Sequence, residues 1–235
     1  MDKKINILII ANKTVFPASD GGSLAIAKLC NILSEQKYII DLISISKDNN
    51  VNTIRKPIKS KHNKSIHQFL FQKNMQFHML RFIKSLFQKT SYQASRFYHT
   101  KIQDFIQNKI KKNQYKIIVF ESIFTTVYLN KLKIPTYTKT ILRAHNVEHK
   151  IWKDLANKQK IKKLPFLLLS EQLRLMEENM PKKIDYIFTL SKKDEKYFRN
   201  KFPKKTHNIP VTFEVESNKT KKIKNSIFHL GAMDW

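Results

Sequence analysis

Glycine is nearly missing from this chain: three residues in 235, at Gly21, Gly22 and Gly231. With so few, the spaced-glycine fingerprint of dinucleotide enzymes is excluded, and no Walker-type lysine follows the Gly21-Gly22 pair. Cysteine is limited to Cys30, so there is no internal disulfide framework, and a reducing, cytoplasmic compartment is expected. Cys30 sits in an apolar helical pattern and reads as a small core residue. Long apolar runs are also lacking. None approaches the ~20 residues that a bilayer crossing needs, and the first, Ile7 to Ala11, is too short to span and lacks a cleavage site. Any membrane contact is therefore peripheral. Acidic residues are scarce, 18 against 45 Lys+Arg, for a formal charge of +27. Such a balance favours anionic partners: nucleic acid, phosphate-bearing lipid or nucleotide. The excess is mostly lysine spread through every segment beside many Ile and Asn, as codon bias toward A and T would give, and no nucleic-acid-binding motif accompanies it. Nucleic acid is not an expected partner.

What the chain does have is alternation. Ile5 to Ile10 is a β-rich run, followed by a polar loop through Pro17 and Asp20 to Gly21-Gly22, an amphipathic stretch from Ser23 to Gln36, and a second apolar run from Tyr38 to Ile45. This is a βαβ unit with parallel strands. Further strands are expected at Lys116 to Phe120, Thr140 to Ala144, Asp185 to Leu190 and His207 to Ile209. Helices are expected near Thr125 to Leu132, Val147 to Ala156, Pro165 to Met180 and Lys192 to Phe202. The pattern predicts an α/β, Rossmann-like, doubly wound parallel sheet. From Asp48 to Asn113 it changes to long Lys-, Gln- and Phe-rich helices, an insertion whose Phe69, Phe71, Phe77, Phe82 and Phe87 form either a core-facing stripe or a membrane-docking face. The polar, lysine-rich stretch beginning at Glu214 is the expected interdomain connection.

Four blocks could carry chemistry. Gly21-Gly22, between a strand and a helix, would let the backbone approach a ligand and offer helix N–H groups to an anion, although a tight turn explains the pair equally well. Arg143-Ala144-His145-Asn146-Val147-Glu148-His149 follows an apolar strand. A histidine there points into the cleft at the sheet's carboxyl edge, where it can bond a sugar hydroxyl or phosphate or act as acid or base, or else cap the next helix. The same residues spell H-x-x-E-H, a zinc-hydrolase pattern that would need both histidines on one face of a helix plus a further carboxylate, Glu171 or Glu177. The third block, Glu171 to Glu178, places Arg174 one turn from Glu171 and from Glu178, as a solvated ion-pair face would. In the fourth, Asp185 to Asp194, a strand ends in Ser191, a helix cap rather than a nucleophile, since no G-x-S-x-G elbow surrounds it.

In this order the blocks resemble the N-terminal domain of family-4 glycosyltransferases: Gly-Gly after the first strand, H-N-x-E with Trp152 close by, E-x-x-R-x-x-x-E on a long helix, then D-x-x-x-x-x-S-x-x-D. The resemblance spans nearly the whole chain. It implies the N-terminal, acceptor-side half of a two-Rossmann-domain GT-B architecture: a domain over 1–213 with a helical insertion at about 48–113, a linker at 214–225, and at 226–235 the first strand of a donor-binding domain that the sequence does not continue. It further implies a retaining transfer from a nucleotide-sugar donor to a lipid-linked or polysaccharide acceptor at the inner membrane face, with no metal or cofactor. His145 would bond the transferred sugar, Gly21 and Gly22 would receive the diphosphate and acceptor, and Asn146 and Glu148 would shape the loop. The competing readings are a non-catalytic module binding an acceptor or anionic lipid, a subunit of a split enzyme, and a zinc hydrolase.

Overall fold

The computed structural model describes residues 5–48, 58–61, 63–87 and 91–212. Their strands form one eight-stranded sheet in the order β3-β4-β2-β1-β5-β6-β7-β8. These are β1 (Asn6–Ala11), β2 (Ile39–Lys47), β3 (Ile58–Lys61), β4 (Ile66–Lys73), β5 (Tyr115–Glu121), β6 (Lys139–Ala144), β7 (Tyr186–Thr189) and β8 (Thr206–Asn208). All pairings are parallel except that of β3 on β4. The expected connection at 214–225 and the expected strand at 226–235 lie outside the described residues.

The strands are runs of Ile, Leu and Val because both faces of the sheet are buried. Leu8, Ile10, Ile43, Ile118, Phe120 and Leu142 point into one core, against the helix α4 (Thr100–Lys112) and the helix α7 (Lys192–Lys201). Ile7, Ile9, Ile40, Leu42, Val119 and Ile141 point to the other, against α1 (Gly21–Glu35), where Cys30 is fully buried. Beyond α1 this second face opens into a shallow apolar groove lined by Ile117, Ile141, Phe188 and Ile209. Chain order reverses at β1: β2 lies on one side of it and β5 on the other. In an open parallel sheet that reversal leaves a crevice at the strands' carboxyl ends, which is where ligands bind.

Two details differ from expectation. Gly21 and Gly22 are the first turn of α1 and not part of the preceding loop. Asp20 caps the helix by accepting the Ser23 N–H at 2.6 Å, and the Ser23 hydroxyl accepts the Asp20 N–H at 2.9 Å; this capping box outweighs the weak helix preference of glycine. The segment from Asp48 to Asn113 is also not purely helical, since it contains β3 and β4 beside α2 (Met79–Phe87), α3 (Tyr92–Ser95) and α4. Phe69 and Phe71, expected on a helix, lie on β4 and pack on Phe105 of α4 with ring centroids 5.3 and 5.2 Å away. Phe82 is buried, whereas Phe77 and Phe87 are exposed, so the aromatic stripe divides between core and surface.

At the far side of the sheet, the Asp185 carboxylate accepts bonds from both the N–H and the hydroxyl of Thr140 at 2.8 Å, tying the start of β7 to β6. Ser191 caps α7 as expected, accepting the Asp194 N–H at 3.1 Å. Replacing Ser191 by Ala should lower stability by about 1 kcal/mol, seen as an earlier urea midpoint, with no change in any activity. Loss of activity in a protein that melts like wild type would reassign Ser191 to chemistry.

Candidate functional site

The carboxyl edge of the sheet beside the reversal is built on a buried carboxylate. Glu121 ends β5, with its side chain fully enclosed on the α1 side of the sheet. Its Cα register partner on β6 is Arg143, whose Nη1 donates to both Glu121 oxygens at 3.1 and 3.2 Å while Nη2 reaches the Ala25 carbonyl of α1 at 3.3 Å. Two residues beyond Arg143 the chain presents His145, and its Nε2 lies 2.5 Å from Glu121 Oε2. A carboxylate can only accept, so a neutral His145 carries its proton on Nε2, which leaves the Nδ1 lone pair to accept from a ligand hydroxyl. As imidazolium the ring would donate at both nitrogens. The next residue after Glu121, Ser122, has φ 73° and ψ 152°, a region nearly reserved for glycine, and it accepts the turn because its N–H bonds the Arg143 carbonyl at 2.9 Å.

A second buried carboxylate, Glu177, holds the other half of the H-N-V-E-H block. Glu177 lies on α6 (Lys163–Asn179) and accepts the Glu148 N–H at 2.6 Å, at the start of α5 (Glu148–Lys158), while its other oxygen lies 2.5 Å from His149 Nδ1. The two histidines therefore do not share a helix face. His145 precedes α5 and turns to Glu121; His149, within α5, turns to Glu177. Among the described residues no group of three or more His, Cys, Asp or Glu is arranged to hold a metal ion.

Lys13 joins this block to Gly21-Gly22. Its Nζ pairs with Asp20 at 3.0 Å and lies where a Cβ on Gly22 would meet it, at 2.5 Å. Its charge also acts on the Glu148 carboxyl. That carboxyl is held above the ordinary glutamate range chiefly by burial, with Glu177 adding to the rise and a bond from Asn146, His145 and Lys13 opposing it. A Cβ on Gly21 would meet nothing within 4 Å, and neither glycine has a positive φ. The backbone thus does not require glycine at position 21, and the space above it is open to a ligand.

The expected residues His145, Asn146, Glu148 and Gly22 are brought together in this way, with Gly21 beside them. Trp152 packs on Phe166 with centroids 5.5 Å apart, and Arg174 bridges Glu171 and Glu178 on the outer face of α6. Sequence reasoning missed Glu121 and Lys13, and it named Glu177 only as a possible zinc ligand, not as the acceptor that holds Glu148 N–H and His149. The available signal for Glu121 was a carboxylate ending an apolar strand at its ligand-facing edge; Lys13 is one of 45 cations and gave none.

No protein-family model matches the chain, and no curated protein matches it in sequence. Solved structures do. Sucrose-phosphate synthase from Thermosynechococcus elongatus is similar with a TM-score of 0.56 at 15% identity, over 88% of this chain and 48% of that one. Weaker likenesses include "Trehalose-6-phosphate from E. coli bound with UDP-2-fluoro glucose", with a TM-score of 0.49 at 10% identity over 88% and 49%. Another is an alpha,alpha-trehalose-phosphate synthase (UDP-forming) from Burkholderia vietnamiensis, with 0.45 at 8% identity over 86% and 43%. The first likeness establishes an α/β, Rossmann-like fold of the kind found in GT-B glycosyltransferase domains. The chain spans about half the length of that structure.

Glu148 provides a pH test. A carboxyl whose folded pKa is raised binds its proton more tightly in the folded state, so the stability it contributes is complete below the ordinary value of 4.5 and is lost as pH rises through the folded value. Glu148→Gln removes that loss. Its melting temperature should exceed that of wild type by an increment that grows as pH rises from 4.5 and then levels off; a gap independent of pH would show that the surroundings of Glu148 do not raise its pKa.

Proposed function

We propose that this chain is the acceptor-side half of a retaining family-4 glycosyltransferase, using a nucleotide-sugar donor and a lipid-linked or polysaccharide acceptor. It would act in the cytoplasm at the inner membrane face, with a second domain supplying most of the nucleotide-sugar site. The observation that carries this reading is His145, at the end of β6, fixed by buried Glu121 of β5, the strand beside the reversal at β1, in a cluster that Arg143 ties to α1. A transferase needs such an arrangement, in which donors are set before charge develops.

Each group has a task in that reaction. The first N–H groups of a helix lack intrahelical acceptors, so Gly21 and Gly22 can present theirs to a diphosphate that a side chain would keep away. Asp20 opposes an anion at this terminus, and Lys13, paired with it, offsets that charge. The bond from the sugar's anomeric carbon to the phosphate oxygen breaks as the acceptor hydroxyl oxygen bonds to the same carbon, and the hydroxyl proton passes to the departing phosphate. His145 would bond a hydroxyl of the transferred sugar and hold its ring in place throughout. Glu121 is not the nucleophile of a double displacement: both its oxygens are engaged by Arg143, one also by His145, and it has no exposed surface. A front-face transfer without a covalent enzyme intermediate is the retaining chemistry that fits.

Two substitutions test this in the native gene product, assayed for transfer of labelled sugar from a panel of nucleotide sugars. His145→Ala should lower turnover by about 100-fold in a protein that still folds, although with a lower melting temperature because buried Glu121 loses a partner; unchanged turnover would remove His145 from the site. Gly21→Ala should fold at least as well as wild type, because a Cβ is free to fit and alanine favours a helix by about 1 kcal/mol. It should nonetheless raise the KM for the nucleotide sugar; an unchanged KM would mean that no ligand approaches the start of α1.

A further inference from the structure

The site above leaves α2 unexplained. At about 100° per residue its residues fall into three arcs. The first faces the protein: Phe82 and Leu86 pack with Tyr92, Leu169 and Trp152, and the Ser85 hydroxyl accepts a bond from Gln172 Nε2 at 3.0 Å. The second is apolar yet faces solvent, with Met79, Leu80, Ile83 and Phe87 exposed by 61, 82, 44 and 84%. The third is basic, formed by Arg81 and Lys84, and α2 contains no acidic residue. Single exposed apolar residues are ordinary, but four on one arc of a short helix, bordered by cations, mark a surface that meets something other than water.

We propose that α2 is a docking surface for an anionic lipid bilayer, with Leu80, Ile83 and Phe87 entering the acyl boundary and Arg81 and Lys84 remaining among the headgroups. Charge selects this occupant. A second copy of a chain with net charge +27 would bring Arg81 and Lys84 against like charge, whereas phosphate headgroups complement them. The neighbouring helix α6, tied to α2 through Gln172, begins with the same chemistry: Leu164 is 66% exposed and follows Lys162 and Lys163. The inference rests on the proposed work at the inner membrane face, and it adds the surface and the lipid charge. Such docking would hold the crevice near a lipid-linked acceptor.

The test is co-sedimentation of the native protein with phosphatidylcholine vesicles prepared with and without phosphatidylglycerol, at low and high salt. Sedimentation is expected only with phosphatidylglycerol and should weaken as salt rises. The double variant Leu80→Asp/Phe87→Asp should bind at least tenfold more weakly while keeping the wild-type melting curve, because both side chains are exposed. Wild-type binding by that variant would overturn the assignment to α2 while leaving the peripheral reading intact. No binding to any vesicle would overturn the membrane reading as a whole; transfer to a soluble acceptor, measured in parallel, would then show whether the glycosyltransferase reading survives. A dimer in sedimentation velocity that Leu80→Asp abolishes would assign the apolar arc to a second copy and overturn the proposal.

Discussion

A carboxylate without exposed surface is tolerated in a protein only if its charge is met, and the end of this sheet is organised around meeting that of Glu121. Arg143 does so from the adjacent strand, using the β5–β6 register to place its guanidinium against both oxygens. Removing one partner of such a buried pair costs about 3–5 kcal/mol, so the pair holds β5, β6 and, through Ala25, α1 in fixed relation. The unfavourable backbone at Ser122 persists within this frame because the same strand supplies the acceptor for its N–H. His145 turns more of its side chain outward than Arg143 or Glu121 does.

Glu177 does similar work at the other end of the H-N-V-E-H block, and together the two carboxylates splay that block. One sets the imidazole of His145, the other starts α5 and takes His149. The short loop between them, with Asn146 exposed and Glu148 disfavoured as an anion, is pinned at both ends. This is the kind of support that keeps a hydrogen-bonding group in position while charge shifts on a bound substrate. The chain as a whole carries a formal charge of +27, which suits phosphate-bearing ligands and lipid headgroups alike.

Much of this could be read from the sequence because buried parallel strands leave a simple trace. The runs at Ile7, Ile40, Ile117 and Ile141 announce β1, β2, β5 and β6, and short polar loops mark their ends. β4 left no such trace. Gln68 and Lys73 are buried on it, and its phenylalanines merged with those of α2 into an apparent helical stripe. His145 was legible because it follows a strand directly, which fixes the edge on which it stands. Glu121 was not, and Glu177 was offered only as a zinc ligand, since their actual roles depend on pairing with residues 22 and 28 positions away, and that distance is bridged only by the fold. Gly21 was expected in the loop before the helix, whereas it stands inside the first turn of α1, where a Cβ would meet nothing within 4 Å.

The most direct measurement is a crystal structure of the native protein soaked with a nucleoside-diphosphate sugar. The account predicts the diphosphate over the first turn of α1, at Gly21 and Gly22, and the sugar within hydrogen-bonding distance of His145, whose bond to Glu121 is retained. A ligand bound elsewhere, or one bound here with His145 turned away and Glu121 released, would contradict it.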